Sequence, residues 1–237
     1  MKVLVLGNLG MLGHMVVKYL RAEDVNVTVT NNRWPNSQTD IINFEGDYII
    51  NCIGAIPQRT KDFDINWQIP IWLDLHAPCR VIHPGTDCEM DNDAYGTSKN
   101  IVGNYIRNIC KQSKSIKTSV IGPELNSNVS LLEWFLAQEG EVIGYSEAMW
   151  NGNTTLEWSK QCLRIMQHWD RYKAETVICS EGLSKYELLL TMKEVYNKNI
   201  KIIAKSLGED KCLKDPNAMY SGNIKKQLID LKEFYIK

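Results

Sequence analysis

The stretch KVLVLGNLGMLGHMVVKYL, residues 2–20, decides the fold. Its opening, Lys2–Leu6, is a short continuous apolar run, the pattern of a strand covered on both faces. Gly7, Gly10 and Gly13 follow. Leu12, Met15, Val16, Tyr19 and Leu20 then recur at i, i+3, i+4, i+7 and i+8, which is one face of an amphipathic helix. In a strand–turn–helix unit of this kind the first glycine allows the tight turn. The second lets the backbone approach a pyrophosphate, and the third lets the helix pack close to the strand. The helix start adds unpaired N–H groups and a partial positive charge. The rival reading is a plain turn that happens to be rich in glycine. The strand before it and the amphipathic helix after it favour a dinucleotide site at Gly7, Gly10 and Gly13.

Outward from this unit, Val25–Thr30 and Tyr48–Ile53 read as the next two strands. Arg80–His83 and Lys117–Ile121 read as further buried strands, and Val177–Cys179 as a late one. A helix beginning near Tyr95 runs through Asn100–Lys111. Ser130–Glu133, Thr154–Glu157 and Ser184–Glu187 each match the S/T-x-x-E capping box. The order predicts an α/β, Rossmann-like doubly wound parallel sheet with a small, mainly helical C-terminal substrate lobe. The expected boundaries are 1–122, with roughly 151–180, for the dinucleotide-binding domain, and 123–150 with 181–237 for the substrate lobe.

Composition narrows the function classes. The 237 residues carry 27 Lys plus Arg against 28 Asp plus Glu, a formal net charge of −1, so no basic excess exists to drive nucleic-acid binding. No apolar run is long enough to span a bilayer. Lys2 and the apolar residues after it imitate a secretory signal, but the glycines interrupt them and no A-x-A-like site follows. The seven cysteines are odd in number, widely spaced and free of any C-x-x-C, which predicts free thiols and a reducing, cytoplasmic setting. Asp and Glu do not cluster with His or Cys at ligand spacing, so no metal is expected.

Other residues carry chemistry. Asn31, Asn32 and Arg33 follow the second strand. Arg33 suits the 2′-phosphate of NADP, and no carboxylate stands beside it in sequence. NADP(H) is therefore favoured over NAD(H), with a solvated loop arginine as the rival reading. Tyr95-Gly-Thr-Ser-Lys99 places a phenol and an ammonium on one helix face. A free phenol has a pKa of about 10, and a neighbouring Lys⁺ would lower it. Thr86 follows the strand Arg80–His83, where its hydroxyl could orient a carbonyl. His83 reads as a packed strand-end histidine, and His14 and His168 as surface residues. The tryptophans read as packing residues, except Trp150, which precedes Asn151-Gly152 and could stack on a base.

In order, GNLGMLG, NCIGA (51–55), GTD (85–87) and YGTSK (95–99) resemble the dTDP-4-dehydrorhamnose reductase family of extended short-chain dehydrogenases/reductases. Asn66 matches an asparagine of that family, and the stretches 118–125, 130–138 and 150–160 are similar to its sugar-nucleotide half. Gly85 stands where the family has serine, and the segment from Thr86 to Tyr95 is shorter than in relatives. The resemblance implies that Gly10, Met11 and Leu12 meet the pyrophosphate, that Asp40 and Ile41 flank the adenine, and that Cys52, Ile53 and Gly54 line the cofactor cleft. It implies substrate contacts from Thr86, Asp87 and Tyr95, to which the reading of the Trp150-Asn151-Gly152 turn adds Trp150 and Asn151. Tyr95 would donate the proton, and Lys99 would hold the nicotinamide ribose. The activity implied is NADPH-dependent reduction of the 4-keto group of a nucleoside-diphosphate 4-keto-6-deoxysugar, in polysaccharide-sugar biosynthesis, by an enzyme that forms homodimers. The alternatives are an epimerase or dehydratase on the same scaffold, for which Asp87 and Glu89 offer carboxylates, and a non-catalytic dinucleotide-binding homologue.

Overall fold

A computed structural model describes residues 1–236. The chain divides into two compact units: Met1–Lys117 with Ser159–Thr176, and Thr118–Trp158 with the chain from Val177 onward. In the first unit, β1 (Lys2–Leu6), α1 (Met11–Ala22), β2 (Asn26–Val29), α2 (Gln38–Ile42), β3 (Tyr48–Asn51), α3 (Ile65–His76), β4 (Arg80–Gly85), α4 (Ala94–Asn108) and β5 (Ser113–Lys117) alternate. The remaining chain supplies β6 (Val120–Ile121), α5 (Leu131–Ala137), β7 (Glu141–Tyr145), β8 (Met149–Trp150), β9 (Asn153–Thr154), α6 (Thr155–Gln167) and β10 (Glu175–Cys179). It ends with β11 (Leu183–Ser184), α7 (Lys185–Val195), β12 (Lys201–Lys205), β13 (Met219–Tyr220) and α8 (Ile224–Ile236).

Among the described residues, seven strands form a parallel sheet in the order β13-β10-β5-β4-β3-β1-β2. From β1 the chain goes outward to β2, then returns to the other side of β1 with β3 and continues through β4 and β5. The order therefore reverses at β1, with Val5 paired to Val29 on one side and to Ile50 on the other. The carboxyl ends of β1 and β3 flank this reversal, which is where open α/β sheets form their ligand crevice.

Burial explains why β1 lies inside the sheet, between β3 and β2. Leu4 and Leu6 join Ile41, Ile49, Ile69, Leu73 and Val81 in one cluster, so that face lies against α2 and α3. The intervening Val3 and Val5 are fully buried too. A strand with no solvent face needs an unbroken apolar run, and Lys2–Leu6 provides one.

Two strand and helix assignments change. Lys117–Ile121 is not one strand: the sheet strand is the polar Ser113–Lys117, and Val120–Ile121 pairs separately with β9. Ser113 and Lys114 tolerate burial because Ser113 Oγ donates to Asp74 Oδ1 at 2.8 Å, while the Lys114 ammonium donates to the Tyr172 carbonyl and stands 4.9 Å from the Trp169 ring. One expected capping box closes fully, at Ser184 and Glu187 before α7. Thr154 receives the Glu157 N–H at 3.2 Å. Ser130 instead donates to the Gly122 carbonyl at 3.0 Å, and no side chain caps α5.

The second unit holds α5, α7, α8 and three two-stranded pairings: β6 with β9, β7 with β12, and β8 with β11. No helix among the described residues is long and apolar enough to cross a membrane.

Candidate active site

The glycine turn is built by close approach. Gly7 has φ +73°, and a Cβ there would lie 2.8 Å from the Cys52 carbonyl carbon, so the end of β1 abuts the end of β3. A Cβ on Gly13 would lie 2.2 Å from the Gly7 carbonyl oxygen. Gly10 is the N-cap of α1; no side chain caps that end, and no acidic residue occupies the first turn. The first turn thus brings no anion of its own, and its glycines leave the backbone bare. These features fit a dinucleotide pyrophosphate. Met11 is partly exposed at this end, whereas Leu12 is buried. His14, expected on the surface, is 8% exposed, and its Nδ1 lies 2.9 Å from the Gly10 carbonyl oxygen. The third glycine draws α1 so close to the strand that Leu12, Gly13 and His14 are all buried.

At the end of β3, Cys52 and Ile53 are half-buried and Gly54 is exposed. Asn66, 2% exposed on α3, holds this segment. Its Oδ1 accepts from the Ala55 N–H at 2.7 Å, and its Nδ2 donates to the Ala55 carbonyl at 3.0 Å and to Ser98 Oγ on α4 at 3.1 Å. One side chain thus ties the loop after β3 to the helix that carries Tyr95 and Lys99. Asn51 Nδ2 stands 3.4 Å from Nδ1 of His83, which is 1% exposed. Burial, with Lys99 nearby, pushes the imidazole down to about 3, so His83 is a neutral packed residue.

A cavity of about 500 Å³ opens beside the end of β2, lined by Thr30, Asn31, Asn32 and Asp40 among others. Arg33 is exposed and outside that lining. The sequence reading found no carboxylate here, and the structure corrects it. The short α2 brings Asp40 back to the end of β2, where Asn32 Nδ2 donates to it at 2.9 Å and the Thr30 hydroxyl donates as well. These bonds, Thr30's first, hold the Asp40 carboxyl below its ordinary value. Ile41 is fully buried in the core, so its side chain cannot flank an adenine, and only its backbone remains for that role.

Beyond β4, Thr86 is 8% exposed and caps a 3-10 turn over Asp87–Met90. Its hydroxyl donates to Asp87 Oδ1 at 3.0 Å and accepts from the Cys88 N–H at 3.3 Å. The same side chain lies near enough to the Tyr95 phenol to act against the rise of its pKa, so the two expected residues are neighbours. Phe63 packs edge-on against the Tyr95 ring at 5.6 Å. Lys99 lies one helical turn along α4, and its ammonium donates to the Pro84 carbonyl at 3.1 Å.

The electrostatics differ from the sequence expectation. Burial, followed by Cys88, pushes the Tyr95 phenol up to about 12, with Asp87 and Asp93 adding to the rise and only Thr86 opposing it. Lysine is not among the causes, because Lys99 is engaged at Pro84. Burial lowers the Lys99 ammonium, and the nearby charges of Glu89 and Cys88 work against that. Tyr95 is therefore a firmly protonated donor in the free protein.

Three expectations fail on packing. Trp150 is 4% exposed within β8, its ring against Gly152, and cannot stack on a base. The Asn151 side chain is spent on Leu213, donating to its carbonyl at 3.0 Å and accepting its N–H at 2.9 Å. Glu89, a carboxylate open to the dehydratase reading, is 3% exposed and paired with Lys117 and Arg107. Sequence reasoning gave Glu89 no structural part because both partners are remote in sequence. The only signals were an acidic residue in a short loop and a glycine in mid-helix.

The sheet order and the glycine turn define a doubly wound, dinucleotide-binding type of α/β fold. No family model and no curated protein matches the sequence, but solved structures do match the fold. A dTDP-4-dehydrorhamnose reductase from Bacillus anthracis in complex with NADP superimposes with TM-score 0.78 at 12% identity, over 98% of each chain. One from Clostridium acetobutylicum gives 0.75 at 13% identity, over 100% of each. A dTDP-glucose 4,6-dehydratase from Bacillus anthracis in complex with NAD gives 0.69 at 12% identity, over 100% of this chain and 96% of that one. The fold is the one these three enzymes share.

Proposed function

We infer that the protein is an NADPH-dependent reductase of the 4-keto group of a nucleoside-diphosphate 4-keto-6-deoxysugar. The observation that carries this reading is the neighbourhood of Thr86 and the Tyr95 phenol at the carboxyl end of β4, with Lys99 on the next turn of α4. The likeness to the two reductases supports it, and so does the bare helix start at Gly10.

Gly10, Met11 and Leu12 would hold the pyrophosphate through backbone N–H groups, and Asn31, Asp40 and Arg33 lie toward the adenosine end. Cys52, Ile53 and Gly54 would form the cleft wall. When bound, the dinucleotide supplies the hydride. The Thr86 hydroxyl, whose single proton goes to Asp87 in the free protein, would turn that proton to the carbonyl oxygen of the sugar. The Tyr95 O–H bond breaks as its proton passes to that oxygen, forming the alcohol and leaving a phenolate. A donor with a pKa of about 12 is well matched to an alkoxide and holds its proton throughout the neutral range. The phenolate then has Lys99 as the nearest cation on its helix.

The pairing of Glu89 weighs against the dehydratase alternative, since its carboxylate is not free to take a proton. Cys88 and the other six cysteines are free thiols, which supports a reducing, cytoplasmic setting. A homodimer goes with the proposed activity.

The test is NADPH oxidation with a panel of nucleotide 4-keto sugars, comparing wild type with Tyr95→Phe. The variant should bind NADPH normally and lose on the order of 10²- to 10⁴-fold in kcat. Unchanged turnover would remove the mechanism. Tight dinucleotide binding by the wild type, with no turnover of any keto sugar, would favour the non-catalytic reading.

A further inference from the structure

The connection between Thr86 and Tyr95 is held from beneath by one buried carboxylate. Glu89 Oε2 accepts from Lys117 Nζ at 2.6 Å and from Arg107 Nη1 at 3.3 Å. Arg107 is itself fixed by Glu175 at 2.8 Å and by Asn104 Oδ1 at 2.9 Å. Lys117 ends β5, Arg107 lies in the last turn of α4, and Glu175 begins β10. The turn carrying Thr86 and Asp87 is thus pinned at once to two strands and a helix.

Three glycines make room for this arrangement. A Cβ on Gly103 would fall 2.7 Å from Glu89 Oε2, so only glycine lets the carboxylate lie against α4. A Cβ on Gly96, seven residues earlier on the same helix face, would fall 2.6 Å from the Cys88 carbonyl oxygen and 2.4 Å from that of Asp91. A Cβ on Gly85 would lie 3.0 Å from both Cα and Cβ of Lys117, its register partner in the sheet, crowding the lysine that reaches Glu89. Mid-helix glycine costs roughly 0.5–1 kcal/mol relative to alanine, so Gly103 needs a reason, and the packed turn, which also crowds Gly96 in the first turn of α4, is one.

We propose that Glu89 is a positioning residue: its ion pairs with Lys117 and Arg107 lock the Asp87–Met90 turn onto α4 and thereby set Thr86 and Asp87 opposite Tyr95. It touches no reacting atom. A buried pair of this kind is poor at adding stability but strict about geometry. The catalytic half of this inference rests on the reductase reading; the anchoring half does not.

The test uses the full chain with three variants, Glu89→Gln, Gly103→Ala and the charge-balanced double variant Glu89→Gln/Lys117→Gln, which guards against misfolding from an unpaired Lys117. Amide hydrogen exchange across residues 86–92 reads the anchor without any need for turnover. Exchange there should rise at least tenfold in each variant, while β1, β3 and the glycine turn stay as protected as in wild type. With a keto sugar that the wild type reduces, kcat should fall at least tenfold while the NADPH dissociation constant changes less than threefold. Unchanged exchange at 86–92 overturns the proposal, as does a loss of protection spread evenly over the unit. Wild-type kcat in a variant whose turn has been mobilised overturns it as well. If the wild type reduces no keto sugar, the reductase reading fails, and the exchange result still decides whether Glu89 anchors the turn.

Discussion

Alanine placed separately at Gly13 and Gly10 should separate folding from binding. At Gly13 the new Cβ would stand 2.2 Å from the Gly7 carbonyl oxygen and 2.7 Å from its carbon. Ordinary carbon contacts lie at about 3.5 Å, so the start of α1 and the Gly7 turn must part by roughly 1 Å. Overpacking of this kind costs about 1–3 kcal/mol. Against it stands the helical advantage of alanine over glycine, about 0.5–1 kcal/mol. The net loss, between about 0 and 2.5 kcal/mol and centred near 1 kcal/mol, should lower Tm by about 2–4 °C at that centre. At Gly10 the φ of −80° is open to alanine, and its Cβ would stand 3.3 Å from the same oxygen, a contact relieved by a small shift. Gly10→Ala should therefore keep Tm within about 3 °C of wild type. It would, however, put a methyl group where the pyrophosphate must approach, and the dissociation constant should rise at least about tenfold, which corresponds to 1.4 kcal/mol. Thermal unfolding followed by circular dichroism, and NADPH titration followed by fluorescence, read the two effects. A Gly13→Ala variant more stable than wild type would refute the packing reasoning. A Gly10→Ala variant with unchanged affinity would refute the assignment of the turn.

Asn66→Ala should destabilise the first unit by about 2–4 kcal/mol, because the N–H and C=O of Ala55 both lose a buried partner; a urea midpoint close to wild type would count against the tie between α3, the β3 loop and α4. His83 stays neutral in the fold down to about pH 3, whereas an unfolded histidine takes a proton near pH 6.5. Below about pH 6.5 the unfolded chain therefore binds the extra proton, and this contribution to stability falls as pH drops toward about 3, by up to about 1.4 kcal/mol per pH unit. Urea unfolding at several pH values should show a shallower acid decline in His83→Gln, and a slope identical to wild type would contradict a neutral, buried imidazole.

The site was legible where its chemistry is local. Glycine at 7, 10 and 13 reports a turn, and Tyr95 and Lys99 report one helix face, because both patterns lie within a few residues. Thr86 was legible from its place just after a strand. What escaped was set by partners distant in the chain. Asp40 reaches the end of β2 only because α2 folds back. Trp150 and Asn151 look like a cleft turn in sequence, yet one is packed in β8 and the other is bound to Leu213. The fall of Tyr95's pKa expected from Lys99 did not occur, since that ammonium is held by the Pro84 carbonyl while burial raises the phenol.

By itself the amino-acid order determined the alternation of strands and helices, the crevice at the end of β1 and the pairing of a tyrosine with a lysine on one helix. Periodicity and glycine placement act over one or two turns of chain, so they survive without knowledge of the fold. Only the tertiary structure decided which carboxylates are free, which aromatics are buried and what holds the Thr86 turn. Burial and ion pairing depend on neighbours brought in from elsewhere: Glu89 is an ordinary loop acid until β5 supplies Lys117, α4 supplies Arg107 and Gly103 leaves the space between them.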